Sequence, residues 1–233
     1  MAERGVRAIV LDFNGTLAQD DELVARLYVD TFASVGVTLT AEEYHRELAA
    51  LPDRQVFELA LARAGLPADA GRRDALIRTR LEGYLAGVAA APPIDESAIA
   101  FVRAAAQERV ALAVASGAFR TEIEYVLDAA GVTELFGAVV SIDDVTHGKP
   151  HPEGFLRALA GLNEALRPEP PIEPWQCVAV EDATGGALAA VAAGMRVAAI
   201  RGPGYDPASG HAELMIDRLD PAAFEAIMGL PPR

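Results

Sequence analysis

Residues 6–11, Val-Arg-Ala-Ile-Val-Leu, form a mostly apolar run that ends on the carboxylate of Asp12 and a turn built on Gly15. A strand buried on both faces reads as such a run, and open α/β sheets keep their sites just beyond the carboxyl ends of their strands. The same grammar returns later in the chain. A helical stretch at 95–107 precedes an apolar run at 110–115, a second at 119–130 precedes 138–141, and a third follows Pro152 before 177–180. An alanine-rich helix then leads to Gly194 and a last run at 197–200. Strand and helix in this alternation specify a parallel sheet covered on both faces, so the fold class is α/β, a doubly wound parallel sheet.

One segment breaks the alternation. After Leu17, apolar residues recur at steps of three and four: Leu23, Leu27, Tyr28, Phe32 and Val35, then Val56, Leu59 and Ala60, then Ile77, Leu81 and Leu85. Such spacing marks amphipathic helices. Gly36, Gly65-Leu66-Pro67 and Gly71 punctuate them, and Pro92-Pro93 closes the segment. We read residues 18–92 as a helical cap inserted after the first strand, and 1–17 with 93–233 as the core. A chain of 233 residues suits one α/β domain with an insertion.

Three further βα junctions carry polar groups. Ser116 closes the run at 110–115 and is followed by Gly117; Lys149 sits in Gly148-Lys149-Pro150; Glu181 and Asp182 end the fourth run and lead into Gly185-Gly186. With Asp12-Phe13-Asn14-Gly15-Thr16, this order resembles the four motifs of the haloacid dehalogenase superfamily of phosphohydrolases and phosphotransferases, and the match spans nearly the whole chain. The insertion after the first motif resembles the small helical cap of that superfamily's β-phosphoglucomutase-like branch. Leu51-Pro52-Asp53-Arg54 resembles its cap specificity loop, and Arg80 with Tyr84 resembles a basic residue and aromatic on its last cap helix.

The resemblance implies a Rossmann-like core and a division of labour. Asp12 would attack phosphorus and become an aspartyl-phosphate. Mg²⁺ would be held by Asp12, the backbone carbonyl of Asn14, Asp182 and Glu181. Thr16, Ser116 and Gly117, with the amide of Ala118 at a helix N-terminus, would bind the phosphoryl group, and Arg54 and Arg80 the rest of a small phosphorylated metabolite. Lys149 would face both Asp12 and a phosphoryl oxygen. It is the only lysine in a chain that uses arginine nineteen times, as suits a compact point charge that a planar guanidinium does not reproduce.

Asn14 departs from the pattern. Most phosphatases of the superfamily have a second aspartate there, which protonates the leaving group and then activates water; a carboxamide has no titratable proton near neutral pH. Substitute acids are sought in His45, Asp20 and Asp21, while His147 and His151 flank Lys149. Phosphonatase chemistry needs a cap lysine, which residues 18–92 lack, and dehalogenases do not need the metal that Glu181 and Asp182 imply. Asn14 also motivates two alternatives: a phosphate-ligand binding or regulatory protein with impaired turnover, and a phosphomutase.

Charge and composition bound the partners. A formal charge of -14 repels nucleic acid and anionic membranes. No stretch reaches the ~20 uninterrupted apolar residues that span a bilayer, and the single cysteine, Cys177, excludes an intrachain disulfide. The expected address is cytoplasmic.

Overall fold

The computed structural model describes residues 5–49, 51 and 53–232. Its contacts divide the chain into two units, Met1–Gln19 with Pro93–Arg233, and Asp20–Pro92.

The first unit is built on six parallel strands: β1 (Ala8–Leu11), β2 (Ala111–Ala115), β3 (Ala138–Val140), β4 (Cys177–Glu181), β5 (Arg196–Ile200) and β6 (Leu214–Ile216). Their order across the sheet is β3-β2-β1-β4-β5-β6, with every pairing parallel. The order reverses beside β1, which sits between β2 and β4 with Leu11 level with both Val114 and Val180. Strand β1 is therefore the topological switch point, and a group just past Leu11 opens into the crevice where such sheets bind ligands.

Both faces are covered. Phe155, Ala158, Leu159 and Leu162 of one helix (Glu153–Leu166) join Ala187, Ala189 and Ala190 of another (Thr184–Ala192) over Ala8, Val10, Ala179 and Val197. Phe101 of the helix Glu96–Gln107 meets Phe224 of the helix Pro221–Met228 edge-on, at 5.9 Å between ring centroids. Helix Arg120–Ala130 buries Ile123, Val126 and Leu127.

Strand β6 and helix Pro221–Met228 escape the sequence reading. Three residues are too few for a periodic signal, and the short helix is announced by Asp220, whose side chain accepts the Ala223 amide at 2.8 Å, and by Pro221 in its first turn. Strand β5 begins one residue earlier than expected, at a buried arginine: Arg196 Nε meets Glu213 Oε2 at 2.9 Å and Nη1 donates to the Pro231 carbonyl at 2.9 Å.

Cys177 opens β4 with no exposed surface, and burial pushes its thiol up to about 12. The thiolate is the reactive form. The native protein is therefore expected to leave Ellman's reagent uncoloured at pH 8 and to release one thiol equivalent in guanidinium; rapid native labelling would contradict this placement.

The second unit is helical: Asp21–Ser34, Ala41–Glu43 continuing into a π-turn at Tyr44–Leu48, Asp53–Arg63 and Ala70–Val88. Tyr28 and Phe32 of the first expected stripe and Val56 and Ala60 of the second are buried, whereas the stripe of the last helix runs one residue off the expected one. The first helix buries Val24, Ala25, Tyr28, Thr31 and Phe32, and the last buries Leu76, Arg80, Tyr84 and Val88. Leu23 and Leu27 instead lie over Gly87 and Gly83, where an added Cβ would come within 2.9 and 2.6 Å of their side chains. Two helices thus approach closely through glycine.

Candidate active site

Asp12 leaves β1 with its amide donating to the Val180 carbonyl at 3.0 Å, which ties it to β4. The chain then winds around one carbonyl. Phe13 O accepts from Leu17 N at 2.9 Å and Ala18 N at 2.8 Å, and Gly15 N donates to Ala18 O at 2.8 Å. Gly15 has φ 72°, a left-handed conformation that disfavours side chains. Asn14 bridges to Ala18 within the loop.

Lys149 crosses from the loop after β3. Its Nζ donates to Asp12 Oδ1 and to Glu181 Oε1, both at 2.5 Å, and stands 5.3 Å from the centre of the Phe155 ring. Desolvation alone would lower its pKa, but the carboxylates of Asp12 and Glu181 overcome that and hold it well above the ordinary lysine value. Glu181, 1% exposed, is pushed up to about 8, chiefly by burial, with Lys149 opposing and Asp12 and Asp182 adding to the rise.

Oxygens of Asp12, Glu181 and Asp182 lie within 4.8 Å of one another. Thr16 Oγ1, fully buried, donates to Asp182 Oδ1 at 3.4 Å, a link that sequence reading did not single out. The loop residues and the acidic pair are therefore fastened to one another as well as to the sheet. Three carboxylates stand against one ammonium, and all the donors are hard oxygens, which is the set that suits Mg²⁺.

Glycine makes room for this arrangement. A Cβ on Gly186 would lie 2.1 Å from the carboxylate of Glu181, so the first turn of helix Thr184–Ala192 serves as a wall for that side chain. Gly204 lets a second loop close in, its carbonyl accepting the Thr184 amide at 3.0 Å while its Cα faces the Asp182 carbonyl. Gly186→Ala is expected to cost about 1–3 kcal/mol through overpacking and to dislodge Glu181 from Lys149. Urea unfolding checks the first and a crystal structure of the variant the second; a variant matching the parent in both would show the slot to be roomier than described.

Ser116, 8% exposed, follows β2 on the strand adjoining β1. One detail corrects the sequence expectation: helix Arg120–Ala130 starts later than the serine turn, and the Ala118 amide already donates to Ser116 Oγ at 3.1 Å. That amide is engaged within the turn, whereas Gly117 is exposed.

The residues named from the insertion lie in the helical unit. Arg54 is exposed near the start of helix Asp53–Arg63. Arg80 is 4% exposed, its guanidinium 5.3 Å from the Tyr28 ring centre, 5.6 Å from that of Tyr84, and 4.0 Å from Asp53 Oδ2. Asp53 also accepts the Tyr28 hydroxyl, so Arg80 joins a polar cluster inside this unit. Asp20 is buried and accepts the Tyr84 hydroxyl at 2.5 Å; Asp21 is exposed; His45 packs edge-on against Tyr44. Pro52, of the expected specificity loop, lies outside the described residues.

Comparison with known proteins agrees with this construction. A family model described as a haloacid dehalogenase-like hydrolase matches residues 6–194. CbbY of Rhodobacter capsulatus is 28% identical over 97% of this chain and 99% of its own. Hexitol phosphatase B of Escherichia coli K12 is 25% identical over 86% of each chain. Among solved structures, CbbY of Rhodobacter sphaeroides in complex with xylulose-1,5-bisphosphate superposes with a TM-score of 0.78 at 26% identity, covering 92% of this chain and 95% of that one. Among the described residues no helix is long and apolar enough to cross a membrane.

Proposed function

Because the chain belongs to the haloacid dehalogenase-like hydrolases, we propose that it is a Mg²⁺-dependent phosphatase of a small phosphorylated metabolite, acting through an aspartyl-phosphate at Asp12. The observation that carries this reading is the ion pair of Lys149 with Asp12 at the switch point of the sheet, beside Glu181 and Asp182. A carboxylate attacking a phosphoryl group sets anion against anion, and positive charge fixed in advance is what lowers that barrier.

Each residue then has a task. An oxygen of Asp12 forms a bond to phosphorus as the ester P–O bond breaks, and the leaving oxygen takes the electron pair and requires a proton. Lys149 pairs with Asp12 and orients it. Thr16 steadies Asp182, and Ser116 offers its hydroxyl to a phosphoryl oxygen. Asp12, Glu181 and Asp182 with the Asn14 carbonyl would hold Mg²⁺, which when bound supplies charge neutralisation for the transferring group. Water subsequently attacks the phosphorus of the phospho-enzyme and restores Asp12. Asn14 cannot exchange a proton in either half, so turnover is slow on poor leaving groups or relies on an acid elsewhere.

The relatives' names direct the choice of substrate. One is a hexitol phosphatase and another was solved with a ketose bisphosphate, so sugar and polyol phosphates stand first. Arg54 and Arg80 are proposed for the substrate's anionic groups, and the exposure of Arg54 favours it over Arg80. Phosphate release from a panel of sugar phosphates, nucleotides and acyl phosphates with Mg²⁺ tests the reading. Release above an Asp12→Asn control on at least one of them supports it, and none on any removes it.

A second reading rests on Asn14 alone: a phosphate-ligand binding protein that has lost efficient turnover. Tight binding of a panel member without phosphate release would favour it.

A further inference from the structure

A second group of side chains also gathers ligating atoms at short range. His147, His151 and Glu153 each offer one donor within 4.8 Å of the others. The histidines stand two residues to either side of Lys149, and Glu153 opens helix Glu153–Leu166. Nδ1 of His147 is 3.2 Å from Glu153 Oε2, and the two imidazole rings lie 4.6 Å apart at 37°.

Those distances have a chemical meaning. Two donors at the ~2.0–2.1 Å bond length of a tetrahedral zinc ion stand about 3.3 Å apart, the separation that His147 and Glu153 already have. Two imidazoles and a carboxylate are the ligand set of an open zinc site, whereas Mg²⁺ takes oxygen donors. This cluster and the all-oxygen cluster at Asp12 therefore prefer different ions.

The carboxylate is held in place beforehand, with its two oxygens differently engaged. Glu153 Oε1 meets Arg157 Nη2 at 2.8 Å and accepts the Thr146 amide at 3.1 Å. Oε2 accepts the His147 amide at 3.0 Å and faces the His147 ring. Arg157 thus occupies Oε1, while Oε2 faces the His147 ring; His151 Nδ1 accepts the Glu153 amide at 3.3 Å, which leaves Nε2 of that ring to bind an ion. Both histidines are exposed, His147 with 63% of its side chain accessible, so small rotations about their side-chain bonds bring the remaining nitrogen into range without disturbing a packed core.

We propose that His147, His151 and Glu153 form a zinc site, separate from the carboxylate cluster, that braces the turn carrying Lys149 when an ion is bound. The ligands bracket Lys149 in the chain, so one ion joined to both histidines ties the two ends of that turn together.

Calorimetric titration of the full chain with Zn²⁺ in saturating Mg²⁺ tests this, comparing the parent with His147→Ala/His151→Ala and with His45→Ala as a histidine control. Loss of one zinc equivalent, or at least about a tenfold weaker affinity, is expected in the double variant only. Zinc should also raise the melting temperature of the parent and of His45→Ala while leaving the double variant where it was. With Co²⁺ in place of zinc, the parent should show intense visible bands of tetrahedral coordination that the double variant lacks. No zinc uptake by the parent, or equal uptake and equal thermal shift in parent and double variant, overturns the proposal.

Discussion

Asp12→Asn is expected to abolish phosphate release from every substrate the parent accepts, by about 10⁴-fold or more, as removal of a covalent nucleophile does. The substitution is nearly isosteric and leaves Lys149 its second partner, Glu181 at 2.5 Å, so the fold is retained and the loss is chemical. Substrate affinity measured on this variant should stay within about tenfold of the parent's, since binding of the phosphoryl group is assigned to other residues. Activity within tenfold of the parent would place the nucleophile elsewhere.

Asn14→Asp is expected to act in the opposite direction, raising turnover of poor leaving groups by ~10²–10⁴, the usual worth of a positioned general acid and base. The physical reason is that expulsion of an alkoxide needs a proton, and a carboxamide offers none. The gain in the phosphoryl-transfer half, read as the single-turnover burst, should shrink toward unity for acyl phosphates, whose leaving groups depart without protonation. A uniform, small change across the panel would mean that the acid resides elsewhere. His45, Asp20 and Asp21, all in the helical unit, would then be the residues to replace, with Asp20 already engaged by the Tyr84 hydroxyl. Binding without turnover in both parent and variant would favour the phosphate-binding reading.

Much of this was legible because strand ends announce themselves. Asp12, Ser116 and Glu181 each close an apolar run, and a parallel sheet brings such ends to one edge. Lys149 stood out by being the only lysine. What escaped reading depends on three-dimensional partners rather than on pattern. The helix Ala70–Val88 buries Arg80 in its apolar stripe, and a hydropathy count assigns an arginine to solvent, which shifts the predicted face by one residue. Gly186 simply follows the acidic pair in the sequence, and its place is dictated by a carboxylate five residues earlier that fills the space of its missing Cβ. The Ala118 amide looked free for an anion because nothing in the sequence says that Ser116 folds back on it.

The central claim is that a phosphoryl group passes to Asp12. Rapid acid quench of the protein turning over a reactive acyl phosphate with Mg²⁺, followed by peptide mass mapping, measures this directly. A hydroxylamine-labile phosphoryl group on the peptide containing Asp12, missing in Asp12→Asn, is the predicted result; turnover with no phosphopeptide, or with the label on a serine or histidine that survives that substitution, would contradict it.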